Sequence, residues 1–170
     1  MTFSHLFRTR LLFGALLLVV GSDTMLCAQT GRETKRKAQQ SAEPSIVWVN
    51  ELPDGKELPS GVSHRTFPSQ AAGRQVGYCI YLPPQYESEP DRRFPVIYNL
   101  HGNGGNEFHS FEDVAVLDAG IRSGRWPALI MVLPNGGKST FYKDSHDGQF
   151  PIETVFIREL IPHIDAEFRT

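Results

Sequence analysis

Two short, almost entirely apolar runs constrain the fold of this chain more than any other feature. They occupy residues 95–100 and 128–133, and a segment of helical character, around residues 112–123, lies between them. A strand that is apolar on both faces must be covered on both faces, which is the environment of a parallel sheet between helices. The pattern therefore predicts a β-α-β unit with parallel strands.

The flanking segments extend this unit in both directions. Strand-like runs at residues 62–67 and 75–82 enclose a short segment with Gly73, which predicts an antiparallel hairpin. Residues 152–168 carry apolar side chains mostly three or four positions apart, which indicates a helix, with a bend expected at Pro162. The predicted fold class is α/β, a mixed sheet in which an antiparallel N-terminal hairpin precedes a parallel β-α-β-α unit.

Residues 1–28 have the pattern of a signal peptide. Arg8 and Arg10 precede ten apolar residues and a more polar exit, and the run is well short of the roughly 20 residues that a membrane-spanning helix needs. We therefore expect a secreted or periplasmic protein, cleaved after Ala28, with no stable membrane insertion after cleavage. An uncleaved anchor and lipidation of Cys27 are the open alternatives.

Composition separates a linker from a folded domain. Residues 29–45 contain no large apolar side chain and are predicted to be a flexible linker, so the folded domain is expected at residues 46–170. Cys79, alone in the cleaved chain, is predicted to be a small buried hydrophobe. With a formal net charge of −2, the chain offers no electrostatic reason to expect a nucleic-acid partner.

A glycine-rich turn follows the first apolar run and is the main candidate for chemistry. The run stops at His101 and enters a turn with Gly102, Gly104 and Gly105. A buried strand that delivers free backbone N–H groups to the end of a sheet can hold an oxyanion, although a purely structural turn is the open alternative. His101 and His109 lack the spacing of metal ligands, so neither a metal site nor a cofactor is predicted.

Four motifs in one order give a more specific interpretation. They are residues 78–86, 94–107, 133–137 and 159–165. Together they resemble the putative-esterase family of α/β-hydrolases, which includes esterase D, feruloyl and acetylxylan esterases and mycolyltransferases. The resemblance covers about residues 62–170. It implies serine-dependent hydrolysis of a carboxylic ester, either a small molecule or an acylated polysaccharide of plants or cell walls.

The same resemblance implies roles for individual residues. The backbone N–H of Asn103 would be one oxyanion donor, the second donor would follow the nucleophile, and His101 would support the loop without acting as the catalytic base. The oxyanion loop then consists of Gly102, Asn103, Gly104 and Gly105. The segment after the second apolar strand borders the substrate cleft in this family, and its candidate residues here are Asn135, Tyr142 and Ser145.

The nucleophile motif of this family is missing. No G-x-S-x-G occurs in the chain, and in the family the strand carrying it follows almost immediately after a helix end like the one near Thr170. We therefore expect the chain to be truncated before the nucleophile elbow and inactive by itself. Two alternatives remain: a non-functional fragment with an exposed sheet edge, and a carbohydrate-binding module that uses Trp48, Trp126 and Tyr142.

Overall fold

The computed structural model describes residues 46–170, so the predicted signal peptide, the linker and Cys27 lie outside the described residues. Within this range no helix is long and apolar enough to cross a membrane. The elements, in chain order, are β1 (Val62–Ser69), β2 (Arg74–Tyr81), α1 (Gln85–Ser88), β3 (Val96–Tyr98), α2 (Phe111–Arg122), β4 (Ile130–Pro134), α3 (Ile152–Thr154), a π-helical segment (Val155–Leu160) and α4 (Ile161–Glu167).

The four strands form one mixed sheet in the order β1-β2-β4-β3. Strands β1 and β2 make the predicted antiparallel hairpin, in which Val62 lies opposite Tyr81 and Ser69 opposite Arg74. Strand β4 pairs antiparallel with β2 and parallel with β3. The predicted fold class, an antiparallel hairpin followed by a parallel β-α-β-α unit, is therefore confirmed.

Pairing between β3 and β4 extends beyond the assigned ends of β3. The N–H of Ile130 donates to the carbonyl of Pro95 at 2.9 Å, and the N–H of Asn99 donates to the carbonyl of Val132 at 2.8 Å. Pro95 has no N–H and can take part only as an acceptor. The ladder thus reaches Asn99, two residues before the glycine-rich turn.

The centre of the sheet is the core of the domain. All five residues of β4 and the last six of β2 are buried. Helix α2 adds Val114, Leu117 and Ile121 to this core. Cys79 on β2 is fully buried, and burial raises the pKa of its thiol to about 12, as expected for a side chain that packs as a hydrophobe.

The last helical stretch is present as predicted, but its irregularity has an unexpected form. A π-helical segment, Val155–Leu160, ends just before Pro162. In a regular α-helix the proline ring would clash with the carbonyl four residues earlier and leave it without an N–H partner. A wider turn changes these partners, so the predicted bend appears as a π-helical segment one turn earlier.

Strand β3 lies at the edge of the described sheet. It pairs with β4 on one side, and no other strand of residues 46–170 pairs with it. Ile97 and Leu100, on and just after this strand, are each 44% exposed. An edge strand with exposed apolar side chains favours pairing with a further strand.

His163 on α4 links the helix to the hairpin. Its Nε2 atom lies 3.1 Å from the Tyr78 hydroxyl, and its ring stacks on Phe67 with the centroids 5.2 Å apart. Burial lowers the pKa of His163 below its ordinary value of 6.5; the charge of Glu167 opposes this shift and that of Arg65 adds to it.

This pKa shift predicts a pH-dependent stability. The unfolded chain binds the proton more readily, so the contribution of neutral His163 is complete above about pH 6.5 and is lost as the pH falls through the folded-state pKa. We expect the free energy of unfolding to fall less between pH 7.5 and 5.5 in His163→Gln than in the wild type, measured by urea unfolding. His109→Gln, at an exposed histidine, should retain the wild-type pH dependence; equal slopes for His163→Gln and wild type would contradict the prediction.

Candidate active site

His101 fixes the start of the glycine-rich loop. Its side chain is buried, and its Nε2 atom accepts the N–H of Gly136 at 3.1 Å. Its Nδ1 atom lies 2.9 Å from the carbonyl of Gly102. Because Nε2 accepts, Nδ1 carries the proton and donates to that carbonyl, so a neutral imidazole satisfies both contacts. Both ring nitrogens are therefore hydrogen-bonded to backbone groups, one in the glycine-rich loop and one in the loop that follows β4.

Two of the glycines are required by the shape of the loop. Gly104 has a φ of +83°, in the left-handed region, and its N–H donates to the carbonyl of Lys138 at 2.6 Å. Gly105 approaches His101 so closely that a Cβ at position 105 would lie 2.9 Å from the imidazole Nδ1. Its N–H donates to the carbonyl of Gly102 at 3.0 Å, which closes the turn.

Asn103 lies at the exposed tip of this turn. No acceptor among residues 46–170 pairs with its backbone N–H, while the neighbouring loop atoms are held by hydrogen bonds. Its side-chain Oδ1 accepts the hydroxyl of Ser139 at 2.6 Å. Within residues 46–170 the backbone N–H of Asn103 thus has no hydrogen-bond partner, and the side chain joins the loop to the opposite wall. The sequence analysis assigned no role to Ser139.

These two loops enclose a pocket of about 330 Å³. One wall runs from Leu100 to Asn103 and the other is formed by residues 137–142. The pocket is open to solvent at Phe141, which is 84% exposed. Four residues of the predicted site therefore line the same pocket: His101, Gly102, Asn103 and Tyr142.

The second wall contains an unusual backbone conformation. Phe141 and Tyr142 both have a φ of +54°, in the left-handed region that bulky side chains rarely adopt. Such residues cost about 1–3 kcal/mol each and persist only when their surroundings hold them. The ring of Tyr142 packs on Gly136, where a Cβ would lie 2.3 Å from the ring, so this position requires glycine.

The Tyr142 hydroxyl connects the second wall to the first. It accepts the N–H of His101 at 3.1 Å and lies 3.5 Å from the carbonyl of Pro134. Burial raises the pKa of Tyr142 above its ordinary value, and the hydrogen bond from His101 opposes this shift. The hydroxyl therefore keeps its proton at neutral pH and can donate it to Pro134.

The other two cleft candidates lie elsewhere. Asn135 is buried, with its Nδ2 donating to the carbonyl of Val47 at 2.8 Å and its Oδ1 accepting the N–H of Gly137 at 3.1 Å. Ser145 donates to Asp147 at 2.6 Å and accepts the N–H of Phe150 at 2.9 Å. Neither lines the pocket. Of the three candidates, the structure places Tyr142 alone in the pocket wall.

The polar cluster around Ser145 serves the local turn. Asp144 accepts the N–H and the hydroxyl of Thr154 at 3.0 and 2.6 Å, and these bonds lower the pKa of its carboxyl. No hydrogen bond joins a serine to a histidine in the part of the chain that the structure describes. In the same part, no group of three or more histidine, cysteine, aspartate or glutamate side chains could hold a metal ion.

The aromatic residues considered for sugar binding are largely packed in the protein. Trp48 is 7% exposed and belongs to the core. Trp126 is 39% exposed, but its ring covers Gly120, where a Cβ would lie 2.2 Å from the indole. The exposed aromatic side chain at the pocket is Phe141, which was not among the residues predicted from the sequence.

Comparison with known proteins agrees with this fold. Residues 69–170 match the family described as Putative esterase, which is 60% of the chain. The domain is α/β-hydrolase-like, and the chain belongs to this esterase family. An esterase of Mycobacterium tuberculosis is 33% identical over 108 residues, which are 61% of this chain and 23% of that protein.

Other relatives and solved structures carry related names. An endo-1,4-beta-xylanase/feruloyl esterase of Xylanibacter ruminicola is 33% identical over 114 residues, 62% of this chain and 16% of that protein. A ferulic acid esterase structure aligns with a TM-score of 0.57 at 27% identity, over 64% of this chain and 45% of that one. An S-formylglutathione hydrolase of Agrobacterium tumefaciens shares the fold, with a TM-score of 0.53 at 17% identity, over 74% of this chain and 49% of that one. The chain thus spans about a quarter or less of the curated relatives and under half of these structures.

The link between the walls predicts a measurable effect of Tyr142→Phe. The substitution removes the acceptor of the His101 N–H and leaves the packed ring in place. We expect the free energy of unfolding to fall by about 1–2 kcal/mol, the cost of an unsatisfied, partly buried donor. Phe141→Tyr, which adds a hydroxyl to an exposed ring, should change it by less than about 0.5 kcal/mol. Urea unfolding of both variants and the wild type makes the comparison. A free energy of unfolding for Tyr142→Phe equal to that of the wild type would contradict the assigned bond.

Proposed function

We propose that the glycine-rich loop of this chain is the oxyanion-binding loop of an exported carboxylesterase that acts on acylated polysaccharide. We also propose that the 170 residues alone do not catalyse hydrolysis. The observation that carries the proposal is the backbone N–H of Asn103, which has no acceptor among the described residues and belongs to a pocket wall. Its loop is held on both sides by hydrogen bonds from Gly104 and His101. A donor fixed before the substrate arrives is what oxyanion stabilisation requires.

The chemistry of ester hydrolysis explains the value of such a donor. A nucleophilic oxygen adds to the ester carbonyl carbon, and the carbonyl oxygen acquires the negative charge until the alcohol leaves. A preorganised N–H directed at that oxygen needs no reorientation during the reaction, and loss of one such donor costs about 10²–10³ in rate in known enzymes. Asn103 would be one donor, and the residue after the nucleophile would be the second.

Several observations support the substrate class and the destination. Relatives of this chain include a xylanase joined to a feruloyl esterase, and neighbouring structures include a feruloyl esterase module in complex with sinapinate. The pocket borders the exposed apolar side chains of Leu100 and Phe141, which suit the hydrocarbon part of an acyl group. The signal-peptide pattern of residues 1–28 supports export.

The absence of turnover follows from the groups that the sequence lacks. There is no G-x-S-x-G motif, and Ser139 and Ser145 donate their hydroxyl protons to Asn103 and Asp147 with no histidine bonded to either. An enzyme of this kind loses nearly all of its rate enhancement without the nucleophile and its base. An oxyanion loop without them can bind an ester and cannot cleave it.

Two measurements on the 170-residue chain test the two halves of the proposal. Titration of the ¹⁵N-labelled protein with methyl ferulate should shift the amide resonances of Gly102, Asn103 and Gly104 in a saturable manner. Hydrolysis of p-nitrophenyl acetate should not exceed that of a denatured control. Serine-dependent turnover would overturn the proposed inactivity, and unshifted loop resonances would overturn the proposed ester binding.

A matched pair of glycine variants provides the control. Gly104 and Gly124 both have positive φ, +83° and +72°, and a Cβ on either would have open space. Gly104→Ala and Gly124→Ala therefore impose a similar backbone strain, about 1 kcal/mol or more. Methyl ferulate shifts should be lost in Gly104→Ala and retained in Gly124→Ala. Loss in both variants would assign the effect to general destabilisation.

Export predicts a defined mature terminus. Expressed with its own first 28 residues in a Gram-negative host, the protein should accumulate in the periplasm with Gln29 as its first residue, as measured by the intact mass. Arg8→Glu combined with Arg10→Glu should block this processing, because the positive flank is required for recognition. An unprocessed protein of full mass in the wild type would contradict cleavage after Ala28.

A further inference from the structure

Glu107, two residues after the glycine-rich loop, is a buried acid with no role in the proposed chemistry. Its side chain is fully buried. Oε1 accepts the backbone N–H of Asn50 at 2.9 Å, and Oε2 accepts the side-chain amide of Asn50 at 2.7 Å. The Nε2 atom of His64 lies 3.4 Å from Oε1. Because burial of a carboxylate is costly unless it is paired, these contacts indicate a specific requirement at this position.

The surroundings of Glu107 are shaped to accept this carboxylate. Gly77 on β2 faces it, and a Cβ at position 77 would lie 2.5 Å from Oε1 of Glu107 and 3.2 Å from Nε2 of His64. A side chain at position 77 would therefore displace one of the two. The glycine interrupts the buried apolar part of β2, residues 76–81, and gives space for the acid.

Asn50 belongs to a segment, residues 46–50, which we call the strap. The carbonyl of Trp48 accepts the N–H of Gly77 at 2.7 Å, which attaches the strap to β2. The carbonyl of Val47 accepts the side-chain amide of Asn135 at 2.8 Å. One end of the strap is thus bonded to the segment after the glycine-rich loop, and its middle is bonded to the loop after β4.

These hydrogen bonds belong to a network that connects the strap with both walls of the pocket. Asn135 accepts the N–H of Gly137 through its Oδ1, and the N–H of the intervening Gly136 donates to His101. From His101 the chain runs through the glycine-rich loop to Glu107, which returns to the strap at Asn50. The two walls are therefore joined directly by His101 and indirectly by the strap.

We propose that Glu107 is a positioning residue that clamps the strap and thereby fixes the loop that carries the Asn103 N–H. The inference relies on the proposed function only in treating this loop as the ester-binding element. Its physical content is local: without the clamp, the glycine-rich loop opens more often while the sheet remains intact. A purely structural role for Glu107 would instead lower the stability of the whole domain.

Hydrogen exchange in the ligand-free protein separates these two roles. The reporters are the N–H groups of Gly104 and Gly105, which donate to Lys138 and Gly102. The comparison set is the amides of β1 and β2 other than Gly77, whose N–H donates to the strap. Asn50→Ala removes one hydrogen bond to the carboxylate. We expect exchange at both glycines to accelerate by about tenfold or more, with β1 and β2 changed by less than about twofold.

An exchange of the two side chains provides the rescue. In Glu107→Gln the charged acceptor is lost and the carboxamide of Asn50 has to turn its oxygen toward the new amide. The hydrogen bonds that remain are neutral and weaker, so the loop amides should exchange faster. Combining Glu107→Gln with Asn50→Asp restores a pair of one carboxylate and one amide, with their positions exchanged. Exchange at Gly104 and Gly105 should then return to within about threefold of the wild type. Glu51→Gln, at the exposed position next to the strap, should have no effect.

The outcomes are distinct. Unchanged glycine amides in Asn50→Ala, acceleration spread evenly over β1 and β2, or failure of the double substitution to restore protection would each overturn the proposal. If Glu107→Gln does not fold, Asn50→Ala gives the decision alone. All rates are measured without ester, so a failure of methyl ferulate binding would overturn the proposed function and leave this result independent.

Discussion

The parallel pairing of β3 with β4 is the constraint on which the candidate site depends. The two strands are adjacent and run in the same direction, so the loops that follow them leave the sheet at the same end. One loop carries Asn103, whose backbone N–H has no acceptor among residues 46–170, and the other carries Tyr142. If either strand were antiparallel or shifted by one residue, the contact of His101 with Gly136 could not form, because the pleat would direct the side chains differently.

This pairing brings the loops together, and buried or partly buried polar groups then fix their positions. The imidazole of His101, the hydroxyl of Tyr142 and the carboxylate of Glu107 each bond to backbone N–H groups that would otherwise be unsatisfied. Apolar packing is not directional and would tolerate small displacements of a loop. Hydrogen bonds with buried partners tolerate much less, so they can hold a single donor in place.

The fold was predictable from the sequence because its signals are local. Alternating and continuous apolar runs specified the hairpin and the parallel strands, and the glycine-rich turn identified the end of β3. The bond between Glu107 and Asn50 joins residues 57 positions apart, and no local pattern specifies such a pair. The left-handed conformation of Phe141 and Tyr142 was also unpredictable, since neither residue favours it and the tertiary contacts of Tyr142 impose it.

The strength of a single donor limits what the proposed oxyanion site could do without a nucleophile. Loss of one oxyanion donor costs known enzymes about 3–4 kcal/mol of transition-state stabilisation, whereas total rate enhancements correspond to about 8–23 kcal/mol. Most of the difference comes from the nucleophile, its base and their alignment with the substrate. In the proposed function, the Asn103 donor therefore makes only a minor contribution to hydrolysis by itself. Its placement by the side chains of His101, Tyr142 and Glu107 would have a large effect on rate only with a nucleophile aligned against the same carbonyl carbon.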